Sequence, residues 1–284
     1  MNKSIIIKII ITLITSTLIL YIIQTLTIKK ETPKTPLKTI PPAYKTISLN
    51  KNITKHQRKE KIKSTISNKT IYLTFDDGPS YLTDKILDIL EKENVPATFF
   101  VIGKHIDEYK NTIKRAYNNG HTIAIHSNTH DYKYIYSSDE NYFEDLKTIN
   151  NKIFNITSNK SRIVRLPGGS SNTVSKKYNS GIITRITQKL KENDYYYFDW
   201  NIDSLDASGK LAKEQIYTNV TTQIKQGENI ILMHDSATKL TTYEALEDII
   251  KYSKQNGYTF ARITKNTLPI HHKIKNWHKK TNNV

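Results

Sequence analysis

The sequence predicts an α/β fold whose parallel strands close into a barrel-like sheet. Short apolar or aromatic runs alternate along the chain with longer segments in which apolar residues recur every three or four positions. This alternation is typical of parallel strand–helix–strand units. The chain carries no Gly-x-Gly-x-x-Gly fingerprint of an open dinucleotide-binding sheet. Polar clusters follow several different predicted strands instead, which favours a barrel.

Apolar runs predict the strands, and periodic segments predict the helices between them. Two helices are expected to end at Asn119-Gly120 and Asn256-Gly257, because Gly readily adopts the left-handed backbone that closes a helix. The predicted strands are residues 71–75, 97–102, 122–125, 163–165, 195–199, 229–233 and 258–263. The predicted helices are residues 82–93, 106–118, 139–156, 172–193, 213–226 and 242–255.

An uncharged, mostly aliphatic segment precedes these elements at residues 9–28, with lysines on both sides of it. At about 1.5 Å per residue, a helix of this length reaches the roughly 30 Å of a bilayer core. No small-x-small cleavage site follows. The sequence therefore predicts an N-terminal membrane anchor at residues 1–30, with one transmembrane helix. A cleaved signal peptide is the alternative, although its apolar region usually spans about 7 to 15 residues.

The rest of the chain divides into three parts. Residues 31–68 carry prolines among Lys, Thr and Ser without an apolar period, which predicts a semi-extended stalk. A packed subdomain around residues 47–53 is the alternative there. Residues 69–265 are expected to form the single folded domain, and residues 266–284 a basic tail. We interpret the His271-His272 pair in that tail as a surface or capping segment.

The 284-residue chain has a formal net charge of +17 and no cysteine. The absence of Cys excludes a disulfide framework and leaves the compartment open. The positive charge suits an anionic polymer, such as a wall that bears teichoic acid, or a nucleic acid. We expect no nucleic-acid partner, because the basic residues are spread along the chain and no basic cluster interleaves with aromatic residues.

Two motifs carry metal-binding chemistry. The adjacent carboxylates Asp76-Asp77 end an apolar run in Thr-Phe-Asp-Asp-Gly-Pro-Ser, and His126 and His130 lie downstream in His-Ser-Asn-Thr-His. Two His at i and i+4 can share one face of a turn, and one carboxylate completes a three-ligand site that leaves a position open for water. Each motif is weak alone, because Asp-Asp-Gly is also common turn chemistry and most isolated His pairs bind no metal.

Three further polar segments follow predicted strands: Arg-Leu-Pro-Gly-Gly from Arg165, Asp-Trp-Asn-Ile-Asp-Ser-Leu-Asp from Asp199, and Ile-Leu-Met-His-Asp ending at Asp235. With all five segments in order, residues 69–263 resemble the polysaccharide deacetylase (NodB-homology) family, carbohydrate esterase family four. Its motifs run Thr-Phe-Asp-Asp-Gly, His-Ser/Thr-x-x-His, Arg-x-x-Pro-Tyr or a variant, Asp-x-x-Asp-Trp and Leu-x-His. The resemblance implies a distorted (β/α) barrel with about seven parallel strands, which agrees with the strand count above.

The resemblance also implies a metal site. Asp77, His126 and His130 would hold one divalent metal ion. Zinc is expected, although a carboxylate with two imidazoles also suits cobalt, nickel, manganese or iron.

The catalytic roles follow from the same resemblance. Asp76 would be the general base that takes a proton from the attacking water, with Arg165 as its ion-pair partner; a supporting carboxylate is the alternative for Asp76. His234 would be the general acid that protonates the departing amine, and Asp206 would hold its ring.

Three residues are expected to contact substrate. Leu232 matches the residue that lines the pocket for the acetate methyl, although a core leucine would give the same pattern. Gly168 replaces the family's aromatic residue after Arg-x-Pro, and its N–H can still stabilise the oxyanion. Ala207 replaces the Trp that walls the groove, and Trp200 is expected to substitute for that Trp from a nearby position.

The function implied is that of a metal-dependent hydrolase that removes acetyl groups from N-acetylated sugars of an extracellular glycan, peptidoglycan first. An O-acetyl esterase on xylan or another polysaccharide is one alternative, and a non-catalytic wall-binding module of the same fold is another. The intact motif residues argue against the binding module. A wall substrate requires the domain to lie outside a single-pass anchor in the cell membrane, since the lysines on both sides of the span do not decide its orientation.

Overall fold

The structure is a computed structural model, and it describes residues 69–275. The predicted anchor, the predicted stalk and the end of the predicted tail lie outside these residues, so the transmembrane helix stays a prediction. Among the helices that the structure describes, none combines the length and the apolar character that a bilayer span requires.

Within residues 69–275, eight strands form one sheet, and all of the recorded pairings between them are parallel. The strands are β1 Lys69–Asp76, β2 Ala97–Ile102, β3 Thr122–Ser127, β4 Ile163–Val164, β5 Tyr196–Tyr197, β6 Ile202–Asp203, β7 Gly227–His234 and β8 Thr259–Phe260. Their order is β5-β4-β3-β2-β1-β7-β6, and β8 lies beside the first half of β1.

The two outer strands of this order come from one short stretch of chain, residues 196–203. β5 pairs with β4, whereas β6 pairs with β7 at the opposite end of the order. Because a few residues join both ends, the sheet must curl in the manner of a barrel. This confirms the predicted α/β class with parallel strands. The strand β6 was not predicted, since two residues are too few to produce a hydrophobic pattern.

Helices connect the successive strands, except β5 and β6, and cover the outside of the sheet. They are Tyr81–Lys92, Gly103–Ile106, Lys110–Asn118, Tyr132–Ile135, Asp139–Thr157, Ile182–Glu192, Lys213–Thr221 and Leu240–Gln255, with a 3₁₀ turn at Val174–Lys177. The two predicted helix ends are confirmed, because Gly120 and Gly257 have φ of 84° and 76° immediately after the C-caps Asn119 and Asn256.

Two predicted helices are interrupted in the structure. Residues 172–193 do not form one helix. A 3₁₀ turn ends at Lys177, and Gly181, with a φ of 76°, is the N-cap of the separate helix Ile182–Glu192. Residues 106–118 are likewise divided between two helices. Apolar periodicity continues across such breaks, so it does not locate them.

Side chains alternate along β1 between two buried regions. Ile71, Leu73 and Phe75 belong to the large cluster that includes the helices, whereas Tyr72 belongs to a smaller cluster with Phe100 and residues of other strands. Because successive strand residues point to opposite faces, Asp76 is expected to share the face of Tyr72. This face carries the buried polar residues described next.

Candidate metal and catalytic site

The carboxyl ends of four strands of the sheet bring the predicted site residues together. Asp76 ends β1 and pairs in register with His234, which ends β7. His126 lies near the end of β3, and Arg165 follows β4 directly. Since the strands are parallel, side chains that are far apart in sequence meet at one edge of the sheet.

Asp77, His126 and His130 form a cluster whose ligand atoms all lie within 4.8 Å of one another. Oδ1 of Asp77 is 3.5 Å from Nε2 of His126 and 3.3 Å from Nε2 of His130. This oxygen is buried and has no hydrogen-bond partner among the described residues. A buried carboxylate oxygen without a donor is costly, so its position beside two ring nitrogens fits a bound cation.

The protonation of the cluster also fits a cation. Burial, together with the neighbouring His126, lowers the pKa of His130 to about 4, so the ring is neutral near pH 7. Burial alone would raise the pKa of Asp77, but the neighbouring histidines outweigh it and lower that pKa. Nδ1 of His126 lies 2.8 Å from the carbonyl oxygen of Arg165, to which it can only donate. In the neutral ring, the lone pair of His126 is then on Nε2, which faces Asp77.

Asp76 lies beside this cluster in an ion pair with Arg165. Nη1 of Arg165 donates to Oδ1 of Asp76 at 2.9 Å, and the second oxygen of Asp76 is 3.9 Å from Nε2 of His126. Nε and Nη2 of Arg165 donate to the carbonyls of Phe198 and Asp199. The guanidinium thus orients Asp76 and fixes the chain that follows β5.

His234 and Asp206 form the second buried pair of the site. Nδ1 of His234 lies 2.7 Å from Oδ1 of Asp206, and the His234 N–H donates to Oδ2 at 2.8 Å. Burial alone would lower the pKa of His234, but the hydrogen bond and charge of Asp206, with the charges of Asp76 and Asp77, raise it to about 9. A protonated imidazole with Nδ1 engaged keeps Nε2 for a proton acceptor in the cavity.

A cavity of about 470 Å³ opens over these groups. Among the residues predicted to contact substrate, Gly168, Trp200 and Leu232 all line it. The cavity is also lined by Asp76, Asp77, His126, His130, Tyr132, Asp203, Leu205, Ala207, Ser208 and His234. The structure thus places the metal cluster, both acid–base candidates and the predicted substrate contacts around one space.

The two residues that depart from the family motifs, Gly168 and Ala207, have different surroundings. A Cβ at Gly168 would lie 2.8 Å from the Tyr132 hydroxyl, and the φ of Gly168 is 76°. The Tyr132 side chain therefore occupies the space beside Gly168. Ala207 is exposed at the cavity wall, and Trp200 lines the same cavity.

Three contributors were not predicted from the sequence. Tyr132 lines the cavity and its ring packs edge-on against His130, with centroids 5.5 Å apart. Leu205 lines the cavity although it is exposed. Asp145 bonds the loop that carries the two His ligands. Of the three, only Asp145 could have been found from the sequence, because it is a charged residue on the apolar face of a predicted helix.

The C-terminal segment forms hydrogen bonds with residues that lie next to the site. The His272 N–H donates to Oδ2 of Asp199 at 2.7 Å, and Nε2 of His272 lies 2.7 Å from the carbonyl of Trp200. Asp199 also accepts hydrogen bonds from the N–H and hydroxyl of Ser170. The first part of the predicted tail therefore supports the chain around Trp200.

Comparisons with known proteins agree with this geometry. A family model described as polysaccharide deacetylase matches residues 63–182. A peptidoglycan-N-acetylglucosamine deacetylase from Bacillus cereus is 33% identical over 215 residues, which cover 74% of this chain and 74% of that protein. The crystal structure of the catalytic domain of a peptidoglycan N-acetylglucosamine deacetylase from Eubacterium rectale is 43% identical, with a TM-score of 0.71 over 73% of this chain and 94% of that one. A polysaccharide deacetylase structure from Bacillus cereus is 31% identical, with a TM-score of 0.64 over 73% and 98% of the two chains.

Proposed function

The chain belongs to the polysaccharide deacetylase family, and from this membership we propose that it removes acetyl groups from N-acetylated sugars of peptidoglycan. One observation carries the proposal. The Asp77, His126 and His130 cluster, the Asp76 carboxylate and the His234 imidazole all line a single cavity. An amide hydrolase needs a polarising group, a base for water and an acid for the leaving amine, and this cavity contains a candidate for each.

We assign the metal-binding role to Asp77, His126 and His130, and zinc is the metal that we propose for them. A divalent cation held there would polarise the acetyl carbonyl and make water more acidic. Cobalt, nickel, manganese and iron remain alternatives, because the same donor set suits them.

The chain's own groups supply the proton transfers. Asp76 accepts the proton of the attacking water, while Arg165 keeps the carboxylate in place through its buried hydrogen bond. Nε2 of His234 donates a proton to the amine as the C–N bond breaks, and Asp206 stabilises the protonated ring. The base and the acid lie on adjacent strands in register, so they can act on one scissile bond.

Substrate contacts are assigned to the cavity wall. Leu232, only 5% exposed at the end of β7, suits the acetyl methyl group. The N–H of Gly168 suits the developing oxyanion, and Trp200 suits one face of a sugar ring. The relatives named above as acting on peptidoglycan support that glycan as the substrate.

The experiment is acetate release from defined substrates by the full-length protein in detergent. We expect N-acetylglucosamine oligomers and peptidoglycan fragments to lose about 42 Da per amide cleaved, activity to stop with a chelator, and zinc to restore it. Acetylated xylan, assayed in parallel, tests the O-acetyl esterase alternative. Loss of acetyl from xylan alone, or retention of stoichiometric zinc when His126 and His130 are both replaced by Ala, would overturn the proposal.

We also propose that the enzyme is a single-pass membrane protein with its catalytic domain outside the cell, facing the wall. The support is the apolar span at residues 9–28 and the polymeric substrate class. Fractionation of the producing cells tests this. Recovery of the protein in the culture fluid, with an N-terminus beyond Ile28, would favour a cleaved signal peptide.

A further inference from the structure

The loop that carries both His ligands is bonded to a carboxylate from outside the five motifs. Asp145 lies in the helix Asp139–Thr157. Its Oδ2 accepts hydrogen bonds from Oγ of Ser127 at 2.8 Å and from the N–H of Asn128 at 2.6 Å. Its Oδ1 accepts from the N–H of Thr129 at 3.0 Å and from Oγ1 of Thr129 at 2.8 Å. Both oxygens are therefore committed to the residues between His126 and His130.

These hydrogen bonds extend to His130. Oγ of Ser127, which donates to Asp145, accepts from the N–H of His130 at 2.9 Å. His130 has a φ of 55°, a left-handed conformation that is costly for a residue with a side chain. In this conformation Nε2 of His130 lies 3.3 Å from Oδ1 of Asp77. The bonded loop therefore holds a backbone geometry that His130 would not adopt alone.

The surroundings of Asp145 show that the helix itself does not require a carboxylate there. Asp145 is 4% exposed, and its buried neighbours on the same helix face are Tyr142, Leu146 and Ile149. An ionised group on an apolar face is strongly destabilising unless its oxygens are paired. An apolar residue would suit packing better, so the loop is what accounts for Asp145.

We propose that Asp145 is a positioning residue for the metal site. It holds the loop in the conformation in which His126 and His130 both direct Nε2 towards Asp77. The ring of His126 has its own support in the carbonyl of Arg165, so His130 depends on Asp145 more strongly. This inference rests on the proposed function, because it takes these three side chains to be metal ligands.

The test is the zinc affinity of full-length Asp145→Asn, measured by competition with a chromogenic chelator. Asn keeps the size of Asp, but its NH₂ group would face the N–H and O–H donors of the loop. We expect zinc binding to weaken about 10- to 100-fold, the range typical for groups that orient ligands. At saturating zinc, kcat should largely return, because Asp76 and His234 are unchanged. A defect in folding alone would not move the zinc affinity in this way.

Asn150→Ala is the matched control. Asn150 lies on the same helix, is equally buried, and exchanges two hydrogen bonds with the backbone of Ser161, which lies outside the cavity. It should lower Tm and leave the zinc affinity unchanged. If Asp145→Asn lowers Tm to a similar extent but binds zinc within about twofold of the unsubstituted protein, Asp145 is not a positioning residue.

Thr129→Ala keeps the inference testable if Asp145→Asn does not fold. It removes one of the hydroxyl donors and leaves the backbone donors. We expect a smaller loss of zinc affinity, and an unchanged affinity would overturn the inference. The proposed function fails separately, if the unsubstituted protein binds no zinc.

Discussion

Arg165 and Asp76 form an ion pair in which the arginine is completely buried and the aspartate is 3% exposed. The same Nη1 atom that donates to Asp76 also donates to Oγ1 of Thr74 at 2.7 Å. The guanidinium lies over the ring of Phe100, 4.1 Å from its centroid. The proposed general base, Asp76, is therefore held by a side chain that contacts β1 and β2 from the end of β4. The stability of the fold and the activity of the site depend on the same residue.

Replacing Arg165 with Met should reduce stability and activity together. The substitution leaves Asp76 buried without its partner, and breaking one side of a buried pair typically costs about 3 to 5 kcal/mol. Urea unfolding measures the free-energy loss. Arg115→Met is the control, because Arg115 pairs with exposed carboxylates of Asp88 and Glu91 and should lose at most about 1 kcal/mol. Equal losses in the two variants would contradict the structural role of Arg165.

Asp76→Asn should abolish most turnover and retain the metal. Asp76 is not in the three-ligand cluster, so zinc content should stay stoichiometric. Loss of a general base typically lowers kcat about 10²- to 10⁴-fold. Zinc analysis and acetate release on the same sample measure both effects. Asp203→Asn, at the wall of the same cavity, is the control and should keep most activity. Loss of zinc from Asp76→Asn would mean that the roles of Asp76 and Asp77 are exchanged.

Asp206→Asn should narrow the pH range of activity by moving the alkaline limb of the pH profile to lower pH. The pKa of His234 is raised to about 9, largely by Asp206, so the protonated acid persists to high pH. Without that charge, the pKa should fall towards the ordinary value of about 6.5, and activity should be lost at lower pH. The pH profile of kcat/KM measures the limb, with zinc content checked at each pH.

Thr242→Val is the companion variant for that profile. Oγ1 of Thr242 donates to Oδ2 of Asp206 at 2.8 Å, so its loss disturbs the carboxylate without removing the charge. We expect a much smaller displacement of the alkaline limb. An alkaline limb that stays in place in Asp206→Asn, at constant zinc occupancy, would assign the acid to another residue.

Gly78→Ala should destabilise the fold and disturb the metal cluster. A Cβ at Gly78 would overlap the carboxyl group of the buried Asp235, whose Oδ2 accepts a hydrogen bond from Thr83. Overpacking of this kind typically costs about 1 to 3 kcal/mol. Urea unfolding and zinc affinity measure the two effects. Adding Asp235→Ala should relieve the overlap, and an additive loss in the double variant would show that this contact is not the cause.

The sequence by itself determined the fold class and most of the site. Apolar runs located most of the strands that reach the cavity, because buried parallel strands are nearly continuous in apolar residues. The resemblance of the five motifs to the polysaccharide deacetylase family then assigned Asp77, His126 and His130 to one cluster before any distance was known. These patterns can be recognised in the sequence because the predicted ligands lie at strand ends. There the chain leaves the core, and polar residues directly follow apolar runs.

The elements that sequence reasoning missed depend on contacts between distant segments. Whether residues 196–203 form one strand or two is decided by pairing with β4 and β7, not by the residues themselves. The division of residues 172–193 is decided by the φ of Gly181, which a periodic pattern does not report. Neither long-range strand pairing nor a single backbone angle can be predicted from the local residue pattern.

Only the tertiary structure decided which side chains support the site. Asp145 and Tyr132 reach the loop of the His ligands and the space beside Gly168, yet neither lies in a recognisable motif. The sequence analysis expected Arg165 beside Asp76, and the structure adds that the pair is buried and that Arg165 directly follows β4. Burial and hydrogen-bond satisfaction are properties of the packed molecule, so a carboxylate that orients a ligand and one that faces solvent look the same in the sequence.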